Sequence, residues 1–97
     1  MNISEMVKLA HDNAREKGFW DQPREVGTML ALIHSEVSEA LEAHRNDAKP
    51  EEFAEELADI LIRIGDLAGG MGVDLESAVI EKMARNSQRS YKHGKQY

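Results

Sequence analysis

The stretch IHSEVSEALEA, residues 33–43, decides how this chain folds. Ile33, Val37, Ala40 and Leu41 recur at the three-four spacing of one helical face. Val26, Met29 and Leu30 upstream and His44 downstream extend the same stripe. Glu36 and Glu39 stand three apart on one flank of it. Further on, EELADILIRIGD, residues 55–66, repeats the arrangement with Glu56 and Asp59. Two amphipathic helices, each with a carboxylate pair beside its apolar stripe, therefore form the middle of the chain.

Working outward, a first helix is predicted from about Ser4 to Lys17, with Ile3, Met6, Val7, Ala10 and Ala14 on one face and Gly18 as its stop. The segment FWDQP reads as a loop, and Pro23 suits the first turn of the second helix, which fades at RNDAKP. Pro50 opens the third helix, Glu51 and Glu52 favour the positive end of its dipole, and GGMG ends it. Asp74 is a good N-cap for a fourth helix running through Leu75, Ala78, Val79 and Met83 to about Ser90. The glycine-broken remainder, about residues 91–97, reads as a flexible basic tail. With no strand alternation, internal repeat or linker, the expectation is an all-α, four-helix single domain spanning 1–97.

Composition agrees. In 97 residues, 41% are apolar and only 5% aromatic, a balance that suits helix packing. With no cysteine, disulfides and thiolate metal sites are excluded. No apolar run reaches transmembrane length and the N-terminus lacks the apolar core of a signal peptide, so a cytoplasmic protein without a membrane partner is expected. The net charge of −6 is unevenly spread. All 18 acidic residues lie in 1–81 against 7 of the Lys and Arg, whereas 82–97 carry the other 5 basic residues and no acid. A general nucleic-acid binder would be basic overall, so no nucleic-acid partner is expected. The basic end either complements a helix dipole or serves a local anion.

The third helix is apolar over more than half its circumference. Phe53, Leu57, Ile60, Leu61, Ile64 and Leu67 form a stripe that Ala54, Ala58 and Ile62 widen, at about 100° per residue. Such a helix needs cover on two sides, and a short chain has few helices to supply it. A homodimer with a shared core is therefore expected, the alternative being a compact monomeric bundle.

If helices two and three fold antiparallel about Asp47 and Ala48, Glu39 and Glu56 are equidistant from the turn, as are Glu36 and Asp59. Equal rise per residue places each pair at one height. Four like charges so close would raise one another's pKa unless a cation joined them. Oxygen-only ligands favour Mg²⁺ or Mn²⁺, ions that also bind phosphate oxygens. The alternative is a solvated acidic face, the reading given to Glu42, Glu51, Glu52 and Glu55. Lys82, Asn86 and Arg89 share one face of helix four and offer charge and forked donors to phosphate. Trp20 either caps the core or stacks on a base. His11 and His34 read as core-edge or surface side chains.

With these residues in view, SEVSEALEA followed by EELADILIRIGD resembles the ExxE…ExxD signature of MazG-like nucleoside triphosphate pyrophosphohydrolases. KMARNSQR matches that family's K-x-x-x-N-x-x-R segment and GFWDQP is similar to its loop before helix two, so the resemblance spans nearly the whole chain. It implies a MazG-like bundle that forms dimers or dimers of dimers. It also implies Mg²⁺ on Glu36, Glu39, Glu56 and Asp59, phosphates on Lys82, Asn86, Arg89 and Lys95, and base and sugar beside Trp20 and His11. The implied reaction is hydrolysis between the α- and β-phosphates to a nucleoside monophosphate and pyrophosphate, with Glu39 as the preferred general base. A single short unit suggests nucleotide-pool house-cleaning. A phosphoribosyl-ATP pyrophosphohydrolase would use similar carboxylates, and a non-catalytic helical dimer would use none of them. A di-iron bundle is excluded, because no Glu stands three before any His.

Overall fold

In the computed structural model of the chain, which describes residues 1–89, the first helix begins at a capping box. The Asn2 side chain accepts from Glu5 N at 2.7 Å and the Glu5 carboxylate accepts from Asn2 N at 3.3 Å. Helix α1 spans Ile3–Glu16. Helix α2 spans Val26–Arg45, so Pro23 lies ahead of it and not in its first turn. The reason is tertiary: residues 20–25 carry Trp20 and Arg24 inward to Asp66 instead of coiling. Asp47, in the left-handed region at φ 55°, reverses the chain into α3, Pro50–Met71, which has Pro in its first turn as expected. Gly72 (φ 68°) closes α3 with a left-handed cap. Asp74 then caps α4, Leu75–Ser87, accepting from Ser77 N at 3.1 Å and Ser77 Oγ at 2.9 Å.

Among the described residues all regular structure is helical, and α3 is the central element. It is flanked by α1 on one side and α2 on the other, while α4 packs mainly on α1. Close approach of α1 depends on small residues. A Cβ at Gly65 would stand 2.7 Å from Met6 Sδ, and one at Gly69 would stand 2.6 Å from His11 Cβ. The N–H of Ser4 donates to Glu76 at 3.3 Å, tying the start of α4 to the start of α1.

This arrangement covers α3 on two sides within one chain, yet leaves a third strip bare. Among the described residues the buried apolar ones are Ala10, Met29, Ala40 and Ala68, and no large side chain is fully enclosed. Leu57 and Leu61 are 46% and 55% exposed, and Ile80 and Met83 on α4 are 62% and 66% exposed. The radius of gyration is 15.7 Å, against about 12 Å for a compact domain of this length. No described helix is long and apolar enough to cross a membrane.

Candidate functional site

The antiparallel α2–α3 hairpin gathers most of the predicted acids. One carboxylate oxygen from each of Glu36, Glu56 and Asp59 lies within 4.8 Å of the others. Helical rise explains the meeting: Glu36 and Asp59 are equally far from the turn, and Glu56 is one turn from Asp59 on the same flank. Glu36 is buried, Glu56 half-buried and Asp59 exposed, so the cluster opens outward from the hairpin. Glu56 Oε2 is enclosed and has no hydrogen-bond partner. An enclosed, unpartnered carboxylate oxygen is costly in an apolar setting. Three converging carboxylates, one of which also carries an orphaned oxygen, fit Mg²⁺ or Mn²⁺.

Glu39 is the fourth predicted acid, and it adjoins the cluster through Glu36 without being one of its three converging residues. It is exposed and lines a cleft of about 470 Å³ with Glu42, Asn46, Glu56 and Asp59. Its carboxyl is held above the ordinary 4.5, first by a hydrogen bond shared with Glu36 and then by repulsion from Glu36. The charges of Glu56 and Asp59 push the same way. Glu36 is held below its ordinary value, mainly by the Arg63 guanidinium, whose Nε–H donates to Glu36 Oε1 at 2.7 Å. The two neighbouring acids thus have separated proton affinities, and Glu39 is the better proton acceptor.

A second cluster centres on Asp66, buried on α3. Its Oδ1 lies 3.0 Å from His11 Nδ1 and accepts from Trp20 Nε1 at 2.8 Å, and its Oδ2 accepts from Arg24 Nη1 at 3.0 Å. Trp20 meets His11 edge-on, with centroids 5.0 Å apart, and its indole lies flush on Gly70. The two residues expected beside base and sugar are therefore brought together, as half-buried partners of one carboxylate. The more open ring is Phe19, 60% exposed.

The predicted phosphate ligands are placed differently. Lys82, Asn86 and Arg89 are all exposed on or just beyond α4. The start of α4 lies ~20 Å along the α3 axis from the level of Glu56 and Asp59. Lys95 lies outside the described residues, as does the tail about 91–97. Reading the sequence also passed over Arg63, Asp66 and Arg24. A signal was present: Arg63 and Asp66 are the only charged residues in the apolar run 60–69, four and seven positions beyond Asp59.

Comparison with known proteins bears on this geometry. The model of the MazG nucleotide pyrophosphohydrolase domain matches residues 24–93. dCTP pyrophosphatase 1 of Rattus norvegicus is 33% identical to the chain over 97 aligned residues, covering 88% of it. The chain spans 57% of that relative's length. No solved structure matches the chain at a significant level.

Proposed function

The chain belongs to the MazG nucleotide pyrophosphohydrolase domain family, and from that premise we propose that it hydrolyses nucleoside triphosphates between the α- and β-phosphates with Mg²⁺ as cofactor. The observation that carries this reading is the convergence of Glu36, Glu56 and Asp59, with Glu56 also holding an enclosed oxygen that has no hydrogen-bond partner. Bound there, Mg²⁺ or Mn²⁺ would draw charge from the phosphoryl oxygens and make an attacking water more acidic. Glu39, exposed at the cleft beside Glu56 and Asp59, takes the proton from that water. Glu36 stays ionised beside Arg63 and contributes a carboxylate oxygen to the cluster.

Self-association belongs to the same proposal. The bare apolar strip on α3 and the exposed apolar residues of α4 support a second copy completing the core. The axial separation of α4 from the acids supports Lys82, Asn86, Arg89 and Lys95 serving the site of a neighbouring subunit. A deoxycytidine nucleotide is the first substrate to try, given the relative named above.

The test is a product assay on a panel of ribo- and deoxynucleoside triphosphates with and without Mg²⁺, separating pyrophosphate from orthophosphate. Pyrophosphate plus monophosphate, abolished in Glu56→Gln and reduced at least a hundredfold in Glu39→Gln, supports the reading. Orthophosphate release, or turnover indifferent to both substitutions, refutes it.

A further inference from the structure

We propose that the cavity where α1, the 17–25 segment and α3 meet is an anion pocket that receives the phosphate chain of the substrate beside the carboxylate cluster. The proposal rests on the hydrolase reading but assigns residues which that reading does not use. The cavity, of about 430 Å³, is lined among others by Asn13, Lys17, Phe19, Arg24, Arg63 and Asp66. Three of these are cations and one is an acid. The acid, Asp66, is already bonded by Trp20 and Arg24 and lies against His11. With Glu36 paired to Arg63 as well, three cations meet two acids, so the pocket keeps a small excess of positive charge in a protein whose overall charge is −6.

The donor geometry also suits phosphate. Arg63 uses only Nε–H on Glu36, and its Nη groups have no partner among the described residues. A guanidinium with its fork unspent matches phosphate oxygens two at a time. Lys17 is exposed and has no ion-pair partner among the described residues. Arg24 is fixed by Asp66 and lies over both aromatic rings, 5.8 Å from the Phe19 centroid and 5.2 Å from the Trp20 centroid.

Continuity with the acids comes through Arg63. It stands one turn from Asp59 and two from Glu56 on one helix, ~6 Å and ~10 Å along the axis. One side chain thus touches a metal-ligand candidate and lines the cationic cavity. A phosphate chain anchored at the acids reaches Arg63 without leaving the α3 surface. The start of α4 in the same subunit lies ~20 Å along that axis from the level of Glu56 and Asp59.

The experiment is calorimetric titration of inorganic tripolyphosphate, without divalent cation so that the carboxylates take no part. Wild type is compared with Lys17→Gln, Arg63→Gln, Lys82→Gln and the charge-matched control Lys49→Gln, each checked for helicity. Binding weakened about tenfold by Lys17→Gln and by Arg63→Gln, with Lys49→Gln at the wild-type value, supports the pocket. Lys17 is exposed and has no ion-pair partner among the described residues, so its variant decides the matter even where Arg63→Gln unfolds. No binding to wild type, or loss on Lys82→Gln with Lys17→Gln unchanged, overturns it. The nucleotide assay separates the two proposals. Normal nucleotide turnover with wild-type tripolyphosphate affinity in Lys17→Gln removes the pocket and leaves the hydrolase. No turnover by wild type, with binding lost in Lys17→Gln, leaves the pocket and removes the hydrolase.

Discussion

Gly70→Ala tests whether the loop before α2 is locked to α3 by ring stacking on bare backbone. A methyl at residue 70 would fall inside the Trp20 indole, against Cη2 and Cζ2 and 2.9 Å from Cζ3. Helix propensity alone favours the substitution by about 1 kcal/mol, since Gly70 is within α3. Steric relief works against it. Moving the indole costs about 1–3 kcal/mol as overpacking. It also breaks the 2.8 Å bond from Trp20 Nε1 to Asp66, worth about 1.5–3 kcal/mol because the acceptor is charged. The net expectation is about 3 kcal/mol of destabilisation, which lowers Tm by more than ~10 °C in a domain of this size. Trp20 is the single tryptophan, so its emission reports the displacement directly as a red shift. Gly27→Ala is the control, because nothing lies within 4 Å of its Cβ position. Melting should be followed by circular dichroism at fixed protein concentration, since association makes Tm concentration-dependent. A Gly70→Ala protein that melts at or above wild type, with unshifted emission, would refute the packing argument.

Asp66→Asn should cost about 3–5 kcal/mol by leaving the largely buried Arg24 without its counter-charge, read as a lowered urea midpoint. Glu56→Gln should leave the metal-free Tm unchanged or raised and abolish the Mg²⁺-induced rise seen in wild type; an undiminished rise would remove Glu56 from the site. For pH, Asp74 is held below its ordinary 3.8, first by the Ser77 backbone N–H it caps. Its stabilisation is therefore present above pH 3.8 and lost as pH falls through the depressed folded value. Asp74→Asn keeps the cap and should flatten that acid limb in urea titrations between pH 2 and 6, whereas parallel curves would discount the ionised cap. Leu61→Glu changes a 55% exposed residue, so a monomer should tolerate it within about 0.5 kcal/mol. A self-associated protein should instead shift to the monomer mass in light scattering.

The four helices were legible because each is punctuated chemically as well as periodically. Pro50, Gly72 and Asp74 occupy the positions their backbone preferences demand, and the turn at 46–49 falls where equal spacing of the acids required it. That same symmetry made the meeting of Glu36, Glu56 and Asp59 foreseeable. The start of α2 was not, because Pro23 is as compatible with an extended approach as with a helical first turn. What decides it is Asp66, a partner forty-odd residues away that no local pattern announces. Arg63 was obscure for a similar reason. On a helical wheel it is one more charge beside the acids, and only the packed hairpin turns its Nε towards Glu36.

One helix thus holds three tasks at successive turns. Glu56 and Asp59 gather oxygens, Arg63 neutralises Glu36 from one side and faces the cationic cavity on the other, and Asp66 pins the aromatic loop. Charges on one rigid rod keep their spacing when the rest of the chain moves, because the backbone hydrogen bonds of α3 are internal to it. The flanking elements lack that security: α1 touches α3 through small residues, and no large side chain is enclosed among the described residues. The positions of Lys17 and Arg24 relative to the acids therefore depend on the Trp20–Asp66–Arg24 bonds more than on a hydrophobic core. The consequence is an ordering of sensitivities. Loosening the Asp66 cluster should scatter the cations while leaving the carboxylates in register, so Asp66→Asn should weaken tripolyphosphate binding more than it weakens Mg²⁺ binding. Equal loss of both would mean that the cluster supports α3 itself, and that the two halves of the site are not separable.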